Sequence, residues 1–146
     1  MGNCSWGPNP ALRTVPENHF QSGLALFNSA HFFEAHEALE DVWRAVPRHT
    51  RLRRHLQGLV QLAVAFHHQS TGNYLGAGSV LERALRNLDG AEESFPDLDL
   101  KSLHTSLKPW REHLARTHTA TPSSSRHLDQ LSSPGLPKIM LWDQLR

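Results

Sequence analysis

The chain has 146 residues, room for one domain with tails, and its 15 lysines and arginines stand against 14 aspartates and glutamates for a net charge of +1. That balance excludes the strong basic field of a nucleic-acid binder and the polybasic face of a membrane-surface protein. The single cysteine, Cys4, excludes a disulfide framework and any cysteine-only metal site, and fits a reducing, cytoplasmic setting.

Residues 1–16 contain Pro8, Pro10 and Pro16 and read as an irregular N-terminal arm. Gly2 opens a myristoylation-like start, but Trp6 stands where Ser or Thr is required, so lipidation is not expected. Neither a charged and apolar leader nor an apolar run of membrane-span length is found, so no membrane partner is predicted.

Helical periodicity begins at Glu17, where Phe20, Leu24 and Phe27 recur at spacings of four and three and stop at Asn28. The next stretch, AHFFEAHEALEDVWR over Ala30–Arg44, carries the buried stripe Phe32, Ala35, Leu39, Val42 and Val46 up to the stop at Pro47. The basic run Arg48–His55 lacks interleaved aromatics, so it reads as a solvated turn and helix start rather than a phosphate-binding surface.

Leu52, Leu56, Leu59, Ala63 and Phe66 form the following stripe, and Val60, Leu62 and Val64 cover the other sides. A helix apolar nearly all round belongs at the centre of the fold. Gly72 breaks the chain, and Tyr74, Ala77, Leu81, Ala84 and Leu88 carry the next stripe as far as Gly90. Past Phe95-Pro96 the pattern returns as Leu100, Leu103, Leu107, Trp110 and Leu114, with Asp99 as N-cap and Pro109 expected to kink or split the helix.

Residues 117–135 are Ser, Thr and Pro rich and read as a flexible linker; residues 136–146 form an apolar tail able to dock in extended form on a helical domain of residues 17–116. Most of the 11 histidines, including His104, His113, His118 and His127, lie in polar neighbourhoods and read as solvated. Short connections between helices force antiparallel neighbours. The predicted fold is therefore all-α, a compact bundle of antiparallel hairpins around a central apolar helix.

Shifting the sequence by 42 residues places Phe32 on Tyr74, Ala35 on Ala77, Leu39 on Leu81, Glu40 on Glu82 and Arg44 on Arg86. Such self-similarity marks stacked helical hairpins, and Gly72–Leu85 is similar to the second helix of a tetratricopeptide hairpin. Two copies are too few for a solenoid, so two tetratricopeptide-like half repeats in one bundle are expected.

On a wheel of about 100° per residue centred on Leu39, Trp43, His36 and Glu40 fall on one flank of the second helix, about 40°, 60° and 100° off centre. Glu34, Glu37 and Asp41 fall on the far side, the position of a wet face. His36 and Glu40, at i and i+4, meet at the core's edge. On the central helix Gln57, Gln61 and His68 lie within about 40° of one another. Buried polar groups need partners, and His36 with Glu40 are the obvious ones across the hairpin.

A metal ion is a sharper reading, for which His36, Glu40 and His68 are the candidates, since two histidines and a carboxylate suit zinc or iron. Neither a His-Glu-x-x-His run nor paired Glu-x-x-His motifs accompany them. No metal site, cofactor or catalytic residue is assigned from the residues. Acid and base catalysis by His36 and Glu40 would further need a cleft, and no serine nucleophile, phosphate loop or dinucleotide fingerprint is present.

The succession Phe27-Asn28, Phe33-Glu34-Ala35-His36-Glu37, Glu40, Trp43, Gln57-Gly58-Leu59, Gln61, His68, Gly72-Asn73 and Gly76-Ala77, closing in Leu136-Pro137-Lys138-Ile139, resembles the domain-of-unknown-function family three hundred and nine. The resemblance is dense over about residues 20–90. It implies a small all-helical bundle in a prokaryotic-type cytoplasmic protein with no agreed activity, and motif positions at Glu34, His36, Glu37, Glu40, Trp43, Gln57, Gln61, His68 and Asn73. Ala30 stands where many members have Gly, and the Ser- and Thr-rich segment before Leu136 departs from the family pattern.

Three functional readings follow. The first is a non-catalytic helical module whose pocket of His36, Glu40, Gln61 and His68 beside Trp43 is a structural network or takes a small ligand or ion. The second is a tetratricopeptide-like protein-interaction unit, with a protein partner or self-association. The third is a metal-dependent hydrolase.

Overall fold

Glu17–Asn28 (α1), Phe32–Ala45 (α2), Arg51–Ser70 (α3), Tyr74–Asn87 (α4) and Leu100–Thr119 (α5) are α-helices, with a short 3-10 turn at Ala91–Glu93 before the last. This is a computed structural model that describes residues 17–119 and 134–142. The arm of residues 1–16, the linker between 120 and 133, and the last residues of the tail lie outside the described residues.

The all-α expectation holds, and its packing follows from the stripes. α1 packs on α2, α2 on α3, α3 on α4 and α4 on α5, so each helix lies against its neighbours in chain order. Leu56, Leu59, Leu62, Ala63 and Phe66 of α3 are all buried, which makes α3 the central helix. Phe66 sits at a crossroads of rings: Phe27, Phe32 and Trp110 lie 6.2, 5.6 and 5.1 Å from it, the Trp110 contact being edge-on. Such aromatic pairs add about 0.5–1.5 kcal/mol each beyond the area they bury. Among the described residues no helix is long and apolar enough to cross a membrane.

The 42-residue relation appears in the turns. α1 ends with the Ala30 N–H donating to the Phe27 carbonyl and the His31 N–H to the Leu26 carbonyl; α3 ends with Gly72 donating to Gln69 and Asn73 to His68. Both pairs of bonds form a Schellman stop, which needs a left-handed residue. Gly72 takes that role at φ 87°, and Ala30 takes it at φ 65° with a side chain that disfavours it.

α3 packs close against α4 and its C-terminal end at Gly58, where an added Cβ would lie 2.7 Å from Leu88 Cγ and 3.2 Å from the Ala84 carbonyl oxygen. Of the expected kink or split at Pro109, the split does not occur: α5 is one continuous helix through it. Pro109 and Thr105, whose carbonyl loses its helical partner, are both exposed residues of α5, a setting in which solvent can offset the lost bond. α5 also continues three residues past the expected domain boundary at 116.

The stretch from 134 to 142 lies back along the bundle. Trp110 Nε1 donates to the Gly135 carbonyl at 2.9 Å. The Asn28 side chain both donates to the Ile139 carbonyl and accepts from its N–H, at 2.9 and 2.7 Å, and Leu98 pairs with Leu141 in a single antiparallel bridge. Asn28 thereby ties the end of α1 to a segment 111 residues away.

Candidate functional site

α2 presents Phe32, Ala35, Leu39 and Val42 to the core, and the flank beside that stripe faces the edge of α3. Trp43 stands at one end of this seam, with the Arg53 guanidinium stacked 4.1 Å above its ring. Arg53 Nη1 also donates to the Val46 carbonyl at 2.9 Å, so the cation is locked in place. The Trp43 indole N–H is buried and has no hydrogen-bond partner among the described residues. Phe33 stands at the other end, its ring 5.8 Å from His36 and 5.4 Å from His67 of α3.

Between these ends lie His36 and Glu40. Their closest approach is 3.7 Å, and Glu40 Oε1 also lies 3.4 Å from Arg44 Nη2; the side chains of His36 and Glu40 are 25% and 29% exposed. At these distances the carboxylate lies loosely between the Arg44 guanidinium and the His36 ring. Half-solvated pairs of this kind contribute about 0–1 kcal/mol.

The other motif positions divide. Gln61 Oε1 accepts from Asn87 Nδ2 at 2.7 Å, so Gln61 is tied to α4 and not, as the wheel suggested, to His36 and Glu40. His68 Nδ1 lies 3.3 Å from Asn73 Nδ2, while Asn73 Oδ1 accepts the Gly76 N–H at 3.0 Å and caps α4. A Cβ at Gly76 would fall 2.5 Å from Asn73 Nδ2, so the cap requires the glycine. Gln57 is half-buried on α3, and Glu34 and Glu37 are exposed.

No hydrogen bond or ion pair joins Glu34, Glu37 or Asp41 to another side chain among the described residues. Among those residues, too, no three His, Cys, Asp or Glu side chains are grouped to hold a metal ion.

Two buried histidines escaped the sequence reading. His55, taken as part of a solvated basic run, is 2% exposed, and its Nδ1 lies 2.6 Å from Ser94 Oγ. Burial pushes its pKa below 6.5, against the opposing pull of a hydrogen bond to the Asp89 backbone. His113, taken as solvated, is 5% exposed and edge-on to Trp110. The signal for His55 was present: it lies three residues after Leu52 and four before Leu59, within the buried stripe.

Residues 20–80 match the family model Domain of unknown function (DUF309). The matched span begins at Phe20 in α1 and ends at Val80 in α4, so it contains the whole α2–α3 seam. The chain is 36% identical over 69 residues to "Uncharacterized protein YpuF" of Bacillus subtilis (strain 168), covering 47% of this chain and 39% of that protein. It is 27% identical over 82 residues to an "Uncharacterized protein" of Aquifex aeolicus (strain VF5), covering 56% of this chain and 24% of the relative. The chain thus spans well under half the length of either relative.

Proposed function

We propose that the DUF309 segment is a non-catalytic recognition module that binds a basic segment of a partner protein on the outward side of α2. The observation that carries this reading is Phe33, 49% exposed and held between His36 and His67 rather than turned into the core. Covering the open half of such a ring is worth about 2 kcal/mol. Glu34, Glu37 and Asp41 beside it supply negative charge that no side chain among the described residues pairs, which favours a cationic partner.

His36 and Glu40 lie partly exposed on a helix flank rather than in an enclosed cleft, an arrangement better suited to recognition than to acid and base chemistry. Gln61, His68 and Asn73 serve the hairpin itself. The greater length of the relatives supports a module carried within larger proteins.

The test is an NMR titration of the full chain with an amidated helical peptide of Lys and Leu, beside its Glu and Leu counterpart. Shifts on α2 and at His67 with the Lys peptide alone, weakened by salt and lost in Glu34→Gln/Glu37→Gln/Asp41→Asn, are expected. Equal response to both peptides, or shifts elsewhere, would overturn the reading.

A second reading, a small-ligand site in the seam, is favoured by the buried Trp43 indole N–H, which has no acceptor among the described residues. A ligand accepting that hydrogen bond would shift the indole resonance and leave the α2 carboxylates untouched.

A further inference from the structure

Residues 134–142 are held on the bundle in the manner of a bound peptide. The Trp110 indole donates to the Gly135 carbonyl at 2.9 Å, and the Asn28 side-chain amide takes both the carbonyl and the N–H of Ile139, at 2.9 and 2.7 Å. The Asp99 N–H donates to the Met140 carbonyl at 2.8 Å, and the Trp142 N–H to the Asp97 carbonyl at 3.0 Å. All of these bonds end on the main chain of the segment, so they ask nothing of its side chains.

Its side chains are read by burial. Pro137 and Ile139 are buried and Lys138 between them is exposed, while Leu141, the next position on the inward side, packs against the core. Such alternation is that of a strand with one face covered. Ile139, 1% exposed, is the anchor. Main-chain bonds for affinity and alternate pockets for selectivity are the two parts of peptide recognition by strand addition. The Asn28 amide serves the first part because it carries a donor and an acceptor side by side, as a neighbouring strand does.

The walls of the groove belong to the bundle. Asn28 closes α1 and Trp110 lies in α5. Asp99 has its own anchorage, since its Oδ1 accepts the Ser102 N–H at 3.1 Å in the first turn of α5. We infer that this groove is a peptide-binding site that accepts in trans a segment of the pattern Pro-x-Ile-x-Leu, with residues 134–142 as its resident occupant. Residues 120–133 tether that occupant to α5. A tether of this length holds it at an effective concentration on the order of 1 mM, so an incoming segment must outcompete it.

The full chain carrying Ile139→Asp, whose own segment cannot seat its anchor, tests this with the labelled peptide Pro-Gly-Leu-Pro-Lys-Ile-Met-Leu-Trp, the sequence of residues 134–142. Fluorescence anisotropy should show saturable binding. It should weaken at least tenfold with aspartate in place of the peptide's isoleucine, with Asn28→Ala added to the chain, and in wild type, where the tethered segment competes. Hydrogen exchange gives a second readout: the Asp99 amide, freed by Ile139→Asp, should regain protection when peptide is added. In wild type the Asp99, Ile139 and Trp142 amides should exchange together and ahead of those of α3. Failure of the Ile139→Asp chain to bind, or binding indifferent to the peptide's isoleucine, overturns the inference. So does loss of the helical circular-dichroism signal in that variant, or exchange of the three amides only with α3, since either makes the segment an inseparable part of the core.

Discussion

His55 and Ser94 are joined across 39 residues by a 2.6 Å hydrogen bond in the core, between the first turns of α3 and the connection from α4 to α5. The histidine is held neutral by burial, so its folded pKa lies below the ordinary 6.5. Between those values the unfolded chain takes up the proton and the folded chain does not. Stability is then complete above about pH 6.5 and falls as pH drops toward the folded pKa. Urea unfolding from pH 8 down to 5 should show this fall in wild type, and a shallower one in His55→Gln. Identical slopes would show that His55 does not set the acid limit.

Removing the hydroxyl tests the same contact from the other side. Ser94 is 5% exposed, so Ser94→Ala leaves a buried imidazole nitrogen without its partner. A loss of roughly 1–3 kcal/mol is expected in denaturant titration. No loss would mean that Asp89 alone satisfies the ring.

The helices were readable because each stripe repeats at three and four residues, and that spacing admits one buried face per helix. The partners of the polar motif residues were not. A wheel gives the angle of Gln61 on α3 but not which neighbour it faces, and its amide goes to Asn87 on α4. Pro109 misled for a related reason: whether a helix breaks at proline depends on whether the freed carbonyl is wet, which is a tertiary fact. His55 was hidden by its company, since the four arginines of the same run precede a ring that is buried.

Ala30 is left-handed at φ 65° where the equivalent turn, 42 residues on, has Gly72. The strain of a Cβ there is about 1–2 kcal/mol, partly offset by the greater freedom of an unfolded glycine. Ala30→Gly should therefore stabilise the chain by up to about 1 kcal/mol, read as a higher denaturant midpoint at unchanged slope. Destabilisation would show that the Ala30 side chain is held by contacts that outweigh the strain.

The last prediction separates motif positions that hold the hairpin from those the fold does not use. Asn73 accepts the Gly76 N–H and meets His68, so Asn73→Ala removes a cap worth about 1 kcal/mol. Asn87→Ala strands the half-buried Gln61 carbonyl and should cost roughly 1–3 kcal/mol. Glu34→Gln and Glu37→Gln touch exposed carboxylates with no partner among the described residues, and should stay within about 0.5 kcal/mol of wild type. One set of thermal melts compares all four. If the glutamate variants melt as early as the asparagine variants, the outward side of α2 is part of the scaffold and the recognition reading fails; if they melt with wild type, their place in the motif answers to something outside the fold.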